Sequence, residues 1–342
     1  MQKLGKSHHK WFIAAVLMFA FLLVMLAFVS LQQSSAGISP SSSSDNRLLP
    51  PPHSSQDSSA TPGYCLNPTT CSEGLTDYGI LSNGKTYSYE ALAVNSSTTI
   101  TKLALGTGNG GRYAISLQQN SVAWNVLENS NYGEYWIQDV VDIVQSGSSY
   151  VVDVFNNIWN FSNTHACCMN GTVYGCGGSF SNEVYYGCSG PSFEVKLPFK
   201  VVLGDNASLG SNDSESSCIG FLYQVWHGSK ELGSGQWDKV CFASNFKASK
   251  APYYLVGGYN PYTYNALSIA IAGWCCGYTG QVKAISASLR LDYEKSSANW
   301  VSVPHAWSEC DTGETVTGVA MSAKMTHVGK ASHGTDNQVE LW

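Results

Sequence analysis

A chain of 342 residues, 44% hydrophobic and 12% aromatic, is too apolar for disorder and long enough to bury one large core. Its 18 Lys+Arg against 24 Asp+Glu leave no basic footprint for nucleic acid. A charged fraction of only 12%, with Tyr, Ser, Asn and Gly in its place, fits an extracellular β-rich protein.

Lys3, Lys6 and Lys10 precede an apolar run from Trp11 to Val29. Its length is close to the roughly 20 residues a spanning helix needs. The pattern predicts a basic cytoplasmic segment over 1–10 and a signal-anchor or signal peptide over 11–31. The remainder would lie outside the cell, held to the membrane through the helix or secreted, and all 24 acidic residues fall in it. Residues 32–63 are Ser/Pro-rich and aperiodic, as in a stalk or pro-region.

All 11 cysteines follow that segment, which outside a cell reads as a disulfide framework. Cys65 and Cys71 enclose a short local loop, and the vicinal pairs Cys167-Cys168 and Cys275-Cys276 call for separate partners. The odd count leaves one thiol free or available for an intermolecular disulfide. No C-x-x-C spacing points to zinc. Sequons at Asn95, Asn160, Asn170, Asn206 and Asn212 permit glycosylation.

From about Tyr64, short alternating segments separated by Gly, Asn and Ser replace the low-complexity stretch. Strands are predicted at 113–127, 134–144, 149–161, 192–203, 218–227, 237–243, 253–258, 266–274 and 283–293. With no long 3.6-residue period, the expected fold over 64–320 is all-β, an antiparallel β-sandwich of jelly-roll type. Residues 165–190 read as a Cys- and Gly-rich insertion and 321–342 as a polar tail.

The stretch YWIQDVVDIVQSGSSYVVDVFNNIWNFS, 135–162, reads as two strands joined by a polar turn. Alternation places Tyr135, Ile137, Asp139, Val141 and Ile143 on one face and Trp136, Gln138, Val140, Asp142 and Val144 on the other. Both faces are largely apolar, so the strand should be interior. Asp139 would then be desolvated and its pKa raised, as an acid-active carboxylate requires. Its bland alternative is a buried carboxylate held by a neighbouring backbone group or Asn. Gln118 and Asn120 share a face with Trp124, Asn156 and Asn157 suit turns or caps, and Asp153 reads as structural.

The motifs SLQQNSVAWNV, YWIQDV and NNIWNFS, followed by FEVKLPFKVVL, WDKVCF, LVGG and LRLDY…VPHAWSECDTGETV, occur in an order that resembles the thermopsin family of archaeal acid proteases. The resemblance runs from about Tyr78 to Val319. It implies a secreted or surface-exposed endopeptidase acting on polypeptide substrates in hot acid, without metal or organic cofactor. Asp139, Asp238, Asp311 and Glu314 match the family's acidic positions and are the candidate acids and bases, with Gln138 as a candidate oxyanion donor. The family's acidic residues before L-V-x-G-G are replaced here by Pro252-Tyr253-Tyr254. That departure keeps open a catalytically inactive surface protein with a binding or structural role.

Other motifs carry less. Asp311-Thr312-Gly313 lacks the apolar strand and second copy that a pepsin-like site needs. GTGNGG at 106–111 precedes β-like sequence and reads as a hairpin loop rather than a dinucleotide cradle.

Overall fold

The computed structural model describes residues between 73 and 341, apart from 78, 80, 82, 84, 109–110, 129–130, 161–184, 211–216, 243–247, 258–266, 275–278, 310–315, 319–322 and 327–337. The predicted N-terminal span, the Ser/Pro-rich segment, Cys65, Cys71 and both vicinal cysteine pairs lie outside the described residues. Eighteen strands, numbered in chain order, and no helix occur among those described.

They form two nine-stranded sheets. Sheet one runs β15 (Trp307–Glu309), β1 (Glu73–Asp77), β12 (Leu267–Ala272), β4 (Ala114–Glu128), β5 (Asn131–Ser146), β6 (Ser149–Asn160), β7 (Tyr185–Val195). In addition, β11 (Tyr253–Gly257) bridges β4 and β2 (Ser88–Ala91). Sheet two runs β10 (Lys230–Phe242), β9 (Ser217–His227), β8 (Phe199–Leu209), β3 (Ala93–Gly106), β13 (Gly280–Ser296), β18 (Gln338–Leu341), β17 (Ala323–Thr326). On β13 it also carries β14 (Asn299–Ser302) and β16 (Val316–Gly318). All pairings are antiparallel except that of β13 with β16.

The core lies between the sheets and follows from period-two alternation. Ile115 and Leu117 of β4, Tyr135, Ile137, Val141 and Ile143 of β5, and Val152, Val154 and Ile158 of β6 point inward. Phe199, Val201 and Leu203 of β8, Ile219, Phe221 and Val225 of β9, and Val240 and Phe242 of β10 meet them. The rings of Tyr135 and Phe242 lie 4.6 Å apart. Burying side chains of this size stabilises by about 1.5–3 kcal/mol each. The Cys218–Cys241 disulfide joins β9 to β10, and Cys188 of β7 is also disulfide-bonded.

Three expectations change. The predicted 192–203 strand is two strands in different sheets, because β7 ends at Val195 and β8 begins at Phe199. Pro198, in the break, lacks the N–H a continuous ladder needs. The 106–111 segment turns the chain, with Gly108 and Arg112 hydrogen-bonded through their backbones. It is not a hairpin, since β3 and β4 belong to different sheets. Residues 321–342 are not simply a polar tail: β17 and β18 extend sheet two, and Val339 and Leu341 alternate into the core from β18.

Candidate active site

The central strands of sheet one carry polar side chains on both faces, and the two faces differ in chemistry. On the inner face, Asp139 sits between Ile137 and Val141, as alternation predicts, and is fully buried. Opposite it, the alternation Phe199, Val201, Leu203 on β8 continues to Asp205, also fully buried. Past a bulge between Gln236 and Asp238, alternation puts Asp238 on the same face of β10 as Val240 and Phe242.

Neutral donors hold these carboxyls. Gln119 Nε2 and Ser121 Oγ both donate to Asp205 Oδ2 at 2.9 Å. Asn156 Nδ2 donates to Asp238 Oδ2 at 2.7 Å, and the Lys239 N–H to its Oδ1 at 2.8 Å. Asp139 Oδ2 accepts from the Gly204 N–H at 3.2 Å. Burial is the main force raising the Asp139 pKa well above the usual carboxylate range, with Asp205 and then Asp238 adding like-charge repulsion against the pull of Gly204 and Val140. Burial also lifts Asp205, to about 7, against the opposing hydrogen bonds of Gln119 and Ser121. Tyr254 of β11 is buried beside Asp205 and Asp139.

The structure therefore brings Asp139 and Asp238 together between the two sheets, where both are buried among the described residues. Asp311 and Glu314 lie outside the described residues. Asn156 and Asn157 are mid-strand rather than turn or cap residues.

The outer face of sheet one holds an amide row. Register aligns Ser268 with Asn120, Asn120 with Gln138, and Gln138 with Asn157. Gln138 Nε2 donates to Asn120 Oδ1 at 2.9 Å and to Gln118 Oε1 at 3.2 Å, while Asn157 Nδ2 donates to Gln138 Oε1 at 2.9 Å. Asn120 Nδ2 donates to Ser268 Oγ at 3.2 Å. Gln118 Nε2 carries the network down β4 to Ser116 Oγ at 2.9 Å. There Ser116 is in register with Asp142, and Asp142 with Asp153 across the β5–β6 hairpin. Side chains directly opposite in an antiparallel pair have Cβ atoms about 5 Å apart. Asp142 is 9% exposed and Asp153 half-buried. Trp124 and Trp136 occupy the same face.

The sequence carries a signal for each cluster. The Asp205 alternation is legible in FKVVLGD. The two-residue Gly147-Ser148 loop, with Ser146 opposite Ser149, fixes Asp142 opposite Asp153. Among the described residues, no group of three His, Cys, Asp or Glu side chains is placed to hold a metal ion.

Residues 60–319 match the family model described as Thermopsin, most of the chain. The chain belongs to the thermopsin family. Comparison with curated proteins gives no match. Membership supports peptidase chemistry at the level of the family.

Proposed function

We propose that this thermopsin-family chain is an acid endopeptidase acting outside the cell, tethered by its N-terminal span or released from it, and that polypeptide substrates lie across the outer face of sheet one. The observation that carries the reading is the facing pair Asp142 and Asp153 at the end of a hydrogen-bonded amide row. Two facing carboxyls can supply one base and one acid. The base takes a proton from water as its oxygen attacks the scissile carbonyl. The acid then protonates the departing amine, and the two roles are exchanged.

Gln138 stands four residues from Asp142 along β5, about 13 Å at the strand rise. That is too far for it to donate to the oxyanion at this pair, so its role shifts from oxyanion donor to holding the amide network beside the pair. Gln118, linked through Ser116 to the row of Asp142, is the nearer amide. The row of Asn120, Gln138 and Asn157 is buried and hydrogen-bonded within itself, so it acts by positioning the strands that carry the pair, while half-buried Trp124 and Trp136 offer apolar surface. Asp311 and Glu314 remain candidates for the same chemistry.

A second reading, an inactive surface-binding protein, is favoured by Tyr254 in place of a family carboxylate. The two separate in one experiment: hydrolysis of an unfolded protein by the disulfide-intact chain in acid, with Asp142→Asn, Asp153→Asn, Asp311→Asn, Glu314→Gln and Gln138→Leu beside it. Loss of roughly 10²-fold or more in kcat for Asp142→Asn and Asp153→Asn, with unfolding midpoints unchanged, is expected. A smaller fall in kcat is expected for Gln138→Leu, which breaks the network beside the pair. Undiminished turnover in both aspartate variants would overturn this assignment, and no turnover by the folded wild-type chain would favour the binding reading.

A further inference from the structure

The interior cluster has more acceptors than donors. Among protein groups, Asp139 Oδ1, Asp205 Oδ1, Gln119 Oε1 and Asn156 Oδ1 meet no hydrogen-bond donor, and the Tyr254 hydroxyl meets no partner. All five residues are buried in the sandwich. The carboxyl hydrogens of Asp139 and Asp205 would supply donors where oxygen acceptors face one another, without any new residue. Four strands bring titratable groups to this point: Asp139 from β5, Asp205 from β8, Asp238 from β10 and Tyr254 from β11. The neighbouring strands β4 and β6 contribute only neutral Gln119, Ser121 and Asn156. Among the described residues the hydrogen-bond partners of Asp139 and Asp205 are neutral, so the compensation available to these two carboxylates comes from dipoles.

We propose that Asp139, Asp205 and Tyr254 form a proton-holding lock between the two sheets, closed when both carboxyl groups are protonated, so that acid fastens the sandwich and neutral pH loosens it. The lock joins β5 of sheet one to β8 of sheet two, with Tyr254 at the flank. It stands on different residues from the peptidase proposal and holds whether or not the chain hydrolyses peptides.

The sign follows from proton linkage. Groups whose protonated form is favoured by folding stabilise fully below their unfolded pKa, near 3.8, and lose that stabilisation as pH rises through the folded value, about 7 for Asp205. In that window each retained proton makes the unfolding equilibrium constant climb about tenfold per pH unit, and two retained protons about a hundredfold.

The test is denaturant unfolding of the disulfide-intact protein from acid to neutral pH, comparing wild type with the double variant Asp139→Asn, Asp205→Asn. Asparagine supplies an N–H donor in place of the carboxyl hydrogen and does not titrate. The share of the rise that belongs to these two protons should be lost in the double variant, leaving a shallower slope, and the variant should also be the more stable protein at neutral pH. Equal pH slopes in the two proteins would overturn the proposal. Should the variant not fold, infrared absorption of the folded Asp77→Asn protein, which lacks a separate buried acid raised to about 6, decides the matter at about pH 5.5, between the unfolded and folded values of Asp205. A protonated-carboxyl band, shielded from deuterium exchange, is expected there; only ionised carboxylate absorption would overturn the lock.

Discussion

Replacing Asp77 by Asn should remove a distinct pH dependence from the stability of the protein. Asp77 ends β1, is 1% exposed, and accepts the Gly79 N–H at 2.9 Å. Tyr87 Oη hydrogen-bonds both to Asp77 Oδ1 and to the His305 carbonyl, the latter at 2.9 Å. Tyr87 has one hydroxyl hydrogen to serve two acceptors. When Asp77 is protonated, its O–H donates to Tyr87, and Tyr87 donates to His305; when it ionises, one acceptor is left unserved. Burial raises the Asp77 pKa to about 6, against the opposing hydrogen bonds of Tyr87, Gly79 and Gly257. The group is therefore stabilising below 3.8, its contribution fades as pH climbs to about 6, and nothing further changes above that. At 1.36 kcal/mol per pH unit, the loss across that window is about 3 kcal/mol. The assay is guanidinium unfolding of wild type and Asp77→Asn at about pH 3, 5 and 7, a range that brackets the window. Near parity is expected at the lowest pH, with the Asn variant gaining about 3 kcal/mol relative to wild type by the highest. Because the comparison is a difference, titration in the Asp139–Asp205 cluster, which shares none of these partners, cancels. A constant difference between the two proteins at all pH values would refute the reasoning.

Two other perturbations have expected sizes. Opening the Cys218–Cys241 bridge with paired serine substitutions frees a segment closed over a separation of 23 residues, and calorimetry should show a loss of about 3 kcal/mol. At Gly190, on the edge strand β7, an added Cβ would stand 2.6 Å from the Trp237 ring of β10. Gly190→Ala should therefore cost about 1–3 kcal/mol through displacement of a rigid indole, measurable as a lowered denaturant midpoint and relieved by Trp237→Leu.

The central hairpin is legible in the sequence because β5 and β6 alternate strongly and the polar turn between them is short. The same alternation suffices to put Asp139 on the inner face. Strand β3, AVNSSTTITKLALG, escapes a pattern reading because Ser and Thr dilute its apolar period, yet its buried Val94 and Ile100 stand at even spacing and meet the core. Reading 192–203 as one strand treats Pro198 as an ordinary residue of an apolar run. The cross-sheet meeting of Asp139, Asp205 and Asp238 is not legible, because it depends on which faces of β5, β8 and β10 oppose one another, a property of sheet packing rather than of local sequence. Asp142 and Asp153 lie in plain view, but only the register of the hairpin makes them neighbours.

The two polar faces of sheet one have different physical requirements. A carboxylate buried away from cationic partners carries a desolvation penalty that neutral dipoles only partly offset, which is why Asp139 and Asp205 hold their protons so far above 3.8. Protonation turns that penalty into the smaller one of burying a neutral acid with hydrogen-bond partners nearby. A sequence selected to fold in acid can therefore place carboxyl groups where a neutral-pH protein would place apolar or amide side chains. The outer face meets the same cost differently: Asn120, Gln138 and Asn157 are buried as well, but as neutral amides they satisfy one another through hydrogen bonds. The inner face therefore draws its stability from protons that pH can remove, and the outer amide row from dipoles that pH leaves unchanged.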